Sequence, residues 1–203
     1  NQGPSQTEIH LRSELDRAVF PGEQGGPHVN IFAAQAVAFK LAKTEQFQKL
    51  QQQIVANCAA FTNRFKELGY KIPFGGTDTH LMNLDVTTIS GPDGASLSGD
   101  QAARILDIAG IVVNRNTIPG DKHATDPSGI RMGTPWLTQR GFKETHMVQL
   151  ADLMNDLLRA TTPYILESRQ GATRRAKVDF KVLEDVKLQV RDLALKAGSD
   201  VDP

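Results

Sequence analysis

Cysteine occurs once in the 203 residues, tryptophan once and tyrosine twice. A lone Cys58 excludes an internal disulfide framework and suits a reducing compartment. Neither charge sign is in surplus, since 23 basic residues balance 23 acidic ones. A general nucleic-acid binder needs excess Lys and Arg to displace counterions from phosphates, so the balance argues against that class. No apolar run approaches the roughly 20 residues of a membrane span, and no charged-then-apolar leader opens the sequence. The histidines (His10, His28, His80, His123 and His146) lack metal-ligand spacing. Gly-x-Ser-x-Gly and Walker patterns are missing, as are internal repeats and low-complexity tracts. The expectation is a soluble, cytoplasmic globular protein with no metal, no membrane contact and no nucleic-acid partner. The first residue is Asn1 rather than Met, which leaves open a processed start or a longer parent.

What is present is enough chain for one good core, or for two small units sharing one. Residues 1–30 hold many Gly, Pro and polar residues without a sustained period, and predict a loop region. Residues 31–68 predict a connecting helix or helix pair. Ile31, Ala34, Ala38 and Leu41 share a face, and Phe47, Leu50, Ile54, Cys58, Phe61, Phe65 and Leu68 continue at steps of three and four. Lys43-Thr44-Glu45 is a candidate break with Thr44 restarting the second helix, and Gly69 caps the end. Cys58, on the apolar face, reads as core.

Residues 69–160 read as a small α/β domain. Strands are expected over 70–74, 81–86, 111–113 and 130–134; in the second, Met82, Leu84 and Val86 alternate with Asn83 and Asp85. Ser98-Gly99-Asp100-Gln101 has capping-box spacing and opens a helix through Ala109. Lys143 to Arg159 is amphipathic. This order predicts an α/β fold of the α+β layer type, with helices covering one side of a small sheet. Residues 161–203 read as a linker followed by a helical extension over 179–196.

Three places carry more than packing. Gly22-Glu23-Gln24-Gly25-Gly26-Pro27 precedes a helix, where adjacent glycines let backbone amides approach an anion; the same turn also serves as an ordinary connector. In Ser128-Gly129-Ile130-Arg131-Met132-Gly133-Thr134-Pro135, strand alternation turns Arg131 away from Ile130 and Met132. An arginine fixed there can offer its planar fork to a carboxylate, or sit as a solvated or ion-paired side chain. In Val113-Asn114-Arg115-Asn116-Thr117-Ile118-Pro119, two Asn at a strand end can meet a flat heterocycle, or simply satisfy a turn. His80, in the Gly75–His80 segment, reads as a structural residue at a strand entrance.

Taken together and in order, these segments resemble the C-terminal half of serine hydroxymethyltransferase. The likeness runs through Ala18–Pro27, Gly75–Leu81, Gly110–Pro119 and Ser128–Gly141, covers about residues 14–160, and leaves 1–13 and 161–203 unmatched. The resemblance implies the C-terminal portion of a fold-type I pyridoxal phosphate-dependent transferase, a homodimer or larger homo-oligomer. It would use pyridoxal 5'-phosphate to interconvert serine and glycine, with tetrahydrofolate or a related pterin as one-carbon carrier. It implies that residues 1–30 come from the end of a large domain. Gly25 and Gly26 match a loop whose amides reach the cofactor phosphate of the dimer partner. Arg131 matches the arginine that binds the amino-acid carboxylate, and Asn116 a position near the pterin ring.

Two departures stand beside the likeness. The family's cofactor lysine follows a Thr-His pair upstream, and no lysine here has that context. The chain alone is therefore expected to lack catalytic residues and activity. Gly120–Pro127 is also shorter than the family's usual loop. The rival readings are a non-catalytic truncated module that associates with a full-length partner, and a folate-independent β-hydroxy amino acid aldolase relative.

Overall fold

The computed structural model describes residues 6–169 and 171–196. The chain divides into two compact units, Asn1–Phe47 and Gln48–Pro203. In the first unit, α1 spans Gln6–Arg17 where an irregular loop was expected. Its large apolar residues are Ile9, Leu11 and Leu15, and the last two are exposed. The helix rests on good helix formers and on the Glu14–Arg17 pair rather than on a periodic face. An irregular turn, Ala18–Glu23, follows and contains Pro21. Helix α2 spans Val29–Ala42. Thr44 then does two jobs: its hydroxyl donates to the Leu41 carbonyl at 2.7 Å and accepts from the Phe47 amide at 3.2 Å. One helix is closed and the next opened at the break the sequence suggests.

The second unit is built on α3, Glu45–Glu67, whose buried positions Ile54, Asn57, Cys58, Phe61, Thr62 and Phe65 repeat at three and four. Asn57 is fully buried, yet its amide donates to Thr138 Oγ1 (2.9 Å) and the Phe142 carbonyl (2.8 Å) and accepts from Gln53. A buried amide so satisfied costs little and fixes the helix against a distant turn. The helix ends on Gly69 at φ +85°, with the Tyr70 amide reaching back to the Phe65 carbonyl.

Strands β1 (Leu81–Asp85), β2 (Asn114–Asn116) and β3 (Gly129–Gly133) form an antiparallel sheet in the order β1-β3-β2. Met82, Leu84, Ile130 and Met132 face the core, joined there by Phe65, Leu106, Met154, Leu157 and Leu158. Each such buried side chain contributes roughly 1.5–3 kcal/mol. Helix α4, Gly99–Ile108, starts from the expected capping box: Ser98 Oγ accepts from the Gln101 amide, and Gln101 Oε1 accepts from the Ser98 amide. Here backbone touches backbone. A methyl on Gly99 would strike the Gly129 carbonyl, and one on Gly129 would meet Ile118 and the Asn116 carbonyl. Helices α5 (Pro135–Gln139) and α6 (Glu144–Arg159) follow β3.

Several expectations need correction. Residues 70–74 make only one bridge, Lys71 to Asp85, because Pro73 has no N–H for a ladder and the chain turns there. The strand expected at 111–113 lies at 114–116. Gly110, at φ +86°, and the Ile111 amide bonded to the Leu106 carbonyl spend 111–113 on leaving α4. The expected linker after residue 160 is a hairpin, β4 (Thr161–Ser168) with β5 (Gly171–Val178). Its charged, exposed face hid the alternation, while Thr161 and Pro163 are buried on the other side. The free edge is tied down where the Ile165 amide donates to Asp93 Oδ2 at 2.8 Å. Helix α7, Phe180–Lys196, closes the unit, with Asp179 Oδ1 accepting from the amides of Lys181 and Val182. Among the described residues no helix is long and apolar enough to cross a membrane.

Candidate functional site

The site begins with the phase of β3. Because Ile130 and Met132 face the core, Arg131 must face the opposite way, and its side chain is exposed there. In an antiparallel sheet, residues directly opposite share a face. Arg131 is opposite Asn83 on β1 and opposite Asn114 on β2. Two Asn residues thus stand opposite Arg131, one on each neighbouring strand. Asn116 is opposite Gly129 on this same face, one pleat along from Asn114. The register puts Arg131 and Asn116 on one face of the sheet, and adds Asn83 and Asn114 to it.

Charge pairing around the row leaves Arg131 available. Arg115, on the core-facing phase of β2, is paired with Asp100 of α4, as is Arg104. Partial burial pushes the Asp100 carboxyl up, but the two guanidinium groups outweigh it and hold the carboxyl below its ordinary value. Asp85 shares the open face with Arg131, yet its Oδ1 accepts from both the amide and the hydroxyl of Thr87. Among the described residues no hydrogen bond or ion pair engages the Arg131 guanidinium. Five N–H donors in a planar fork are therefore free to meet a carboxylate.

Asn116 Nδ2 donates to the Thr117 carbonyl at 2.8 Å, which holds its amide at the end of β2. The loop beyond is pinned by Asp121, whose Oδ2 accepts from the amides of Ile118 and Ser128, both at 2.9 Å. Partial burial raises the Asp121 carboxyl, while the Ser128 and Ile118 donors lower it by more. The short Gly120–Pro127 segment is further linked to the hairpin by Arg174 and Asp126 at 2.9 Å. His80 is exposed, and its carbonyl accepts from the Thr134 amide at 3.0 Å.

Gly25 and Gly26 belong to the first unit, exposed and just ahead of α2. A Cβ added at either would meet nothing within 4 Å. Among the described residues neither glycine amide has a protein acceptor, whereas the neighbouring Gln24 amide donates to Val19. Two open amides before a helix fit a phosphate group.

Asn83 is the residue that sequence reasoning passes over. Its signal was the polar phase of the 81–86 alternation, which any solvated strand shows. Only the register reveals which residue it faces.

A family model described as serine hydroxymethyltransferase matches residues 2–154. The serine hydroxymethyltransferase of Mycoplasma mobile is 45% identical over 159 residues, 78% of this chain and 37% of its own length. The cytosolic one of Oryctolagus cuniculus is 45% identical over 146 residues, 72% of this chain and 29% of its own. The mitochondrial one of Candida glabrata is 38% identical over 198 residues, 96% of this chain and 39% of its own. That last match runs past residue 160, and the family model reaches residue 2. The likeness therefore extends into both ends that the motifs left unmatched. The chain spans about a third of the length of the curated relatives it matches. From one end to nearly the other it reads as a single lineage, and the protein belongs to the serine hydroxymethyltransferase family.

Proposed function

We propose that this chain is the C-terminal part of a serine hydroxymethyltransferase of pyridoxal phosphate fold-type I, which interconverts serine and glycine with a tetrahydrofolate-type carrier. The observation that carries the reading is Arg131, a free guanidinium on the central strand with Asn116 on the same open face. Residues 1–30 and 69–160 are then the end of the large domain and the small domain of the parent enzyme. The lysine that bonds the cofactor belongs to the remainder of the parent, so the isolated chain is inactive.

When bound, pyridoxal phosphate supplies an electron sink for cleavage at the amino-acid α-carbon. The chain's own residues bind and orient. The amides of Gly25 and Gly26 would donate to the cofactor phosphate of the dimer partner, aided by the start of α2. Arg131 holds the substrate carboxylate in two parallel hydrogen bonds, which removes rotation about the bond to the α-carbon and fixes the side chain for cleavage. Asn116 offers its amide to a pterin ring, with the loop beyond held by Asp121.

The test is Arg131→Lys in the complete enzyme. An ammonium cannot reproduce the fork, and hydrogen bonds to charged groups are worth about 1.5–3 kcal/mol. The expected rise in the serine KM is about ten- to a hundredfold; an unchanged KM and turnover overturn the reading. Dependence of serine cleavage on the folate carrier separates this enzyme from a folate-independent aldolase.

A further inference from the structure

The Asn83 side-chain oxygen is buried and has no hydrogen-bond partner. A buried acceptor left unpaired is costly and calls for an explanation. The residue directly opposite it on the same face is Arg131, whose donors are equally unpaired. Other groups on the face are engaged: Asp85 holds Thr87, and Asn116 holds the Thr117 carbonyl. Asn114, on the edge strand, is exposed and has no buried orphan atom.

We propose that Asn83 is a positioning residue for Arg131. As a substrate carboxylate draws the guanidinium in over the sheet, one N–H of Arg131 donates to Asn83 Oδ1 and the others stay aimed at the carboxylate. The orphan acceptor and the idle donor are satisfied by one movement. An uncharged acceptor is what the task requires. It fixes the plane of the fork without cancelling its positive charge, whereas Asp at 83 would become a permanent counter-ion and compete with the substrate. Leu at 83 would leave the fork free to rotate, with the same backbone and similar volume.

This inference rests on the carboxylate-binding role proposed for Arg131, so three variants of the complete enzyme are compared. Asn83→Leu is expected to raise the serine KM about tenfold, the value of one unmade hydrogen bond to a charged group. The kcat and the KM for the folate carrier should stay within about twofold. Asn83→Asp should raise the serine KM further than Asn83→Leu does. The dissociation constant of glycine, measured by calorimetry, should rise in parallel. Glycine has the carboxylate but no hydroxyl, so a loss confined to serine would place Asn83 at the wrong end of the substrate and overturn the proposal. Equal losses in kcat and in both KM values, with a lowered melting temperature, would mean a merely structural role and overturn it too. If Asn83→Leu fails to fold, the near-isosteric Asn83→Asp decides alone, and a normal glycine affinity there sinks the idea. Arg131→Lys separates the two layers. If it leaves serine binding intact, the site reading fails; if it weakens binding while Asn83→Leu does not, only this inference fails.

Discussion

At the scale of single residues, environment decides which polar groups are available. Tyr70 is 5% exposed, set edge-on against Phe65 with ring centroids 5.4 Å apart, and lies beneath the Arg159 guanidinium at 5.3 Å. Burial pushes its phenol up to about 12, with Arg159 pulling partly back. Because the folded state keeps the proton that the unfolded chain loses near pH 10, this contribution is complete below pH 10 and is lost as pH climbs toward 12. A decline on the order of 2 kcal/mol is expected over that interval. Denaturant melts of the wild type and Tyr70→Phe at several alkaline pH values check it, and the variant should show the shallower slope. Arg131 poses the opposite problem. The sequence puts it on a strand with small neighbours, which suits a ligand or a solvated charge equally well. Only the pairing of its neighbours, Asp85 with Thr87 and Asp100 with Arg104 and Arg115, shows that the guanidinium is idle.

At the scale of elements, the hairpin β4–β5 hangs on local devices rather than a broad core. Its strand β4 is anchored by Asp93, which receives the Ile165 amide and also the Ala95 amide. Those donors, the Ile165 amide foremost, hold the Asp93 carboxyl below its ordinary value. The anchor is therefore complete above the ordinary carboxylate pKa and is lost only as pH falls through the lowered one. Asp93→Asn should speed hydrogen exchange at the Ile165 amide at neutral pH while leaving exchange in α3 unchanged; equal protection in the variant would show that Asp93 is not the anchor. The hairpin also marks the limit of sequence reading. Strong periods were legible, as in α3, α6 and the core phase of β1 and β3, because burial enforces them. So was the capping box at Ser98, a purely local motif. The hairpin was illegible because its inward residues are few and its outward ones charged, and α1 because it has almost no apolar face. The strand at 114–116 was misplaced since a buried crossing such as Ile111 carries the same apolar signal as a ladder.

At the scale of the whole molecule, α2 is the conspicuous element. Val29, Ile31, Phe32, Val37, Phe39 and Leu41 are all exposed on one short helix. A helix apolar all round belongs in an interior. Apolar surface of this kind is covered by association. Light scattering on the isolated chain should find a dimer or larger assembly, and Phe32→Glu with Phe39→Glu should shift it toward monomer; a wild-type monomer at every concentration tested contradicts this. The contact of Gly129 with α4 has a different consequence, one for descent rather than for chemistry. Two positions before Arg131 the chain is bound by steric necessity, since neither Gly99 nor Gly129 has room for even a methyl group. The Arg131 guanidinium itself makes no hydrogen bond or ion pair among the described residues. A lineage relieved of selection for catalysis could therefore discard the charge and keep the scaffold, so glycines that persist without the arginine would mark descendants that have changed occupation while retaining their shape.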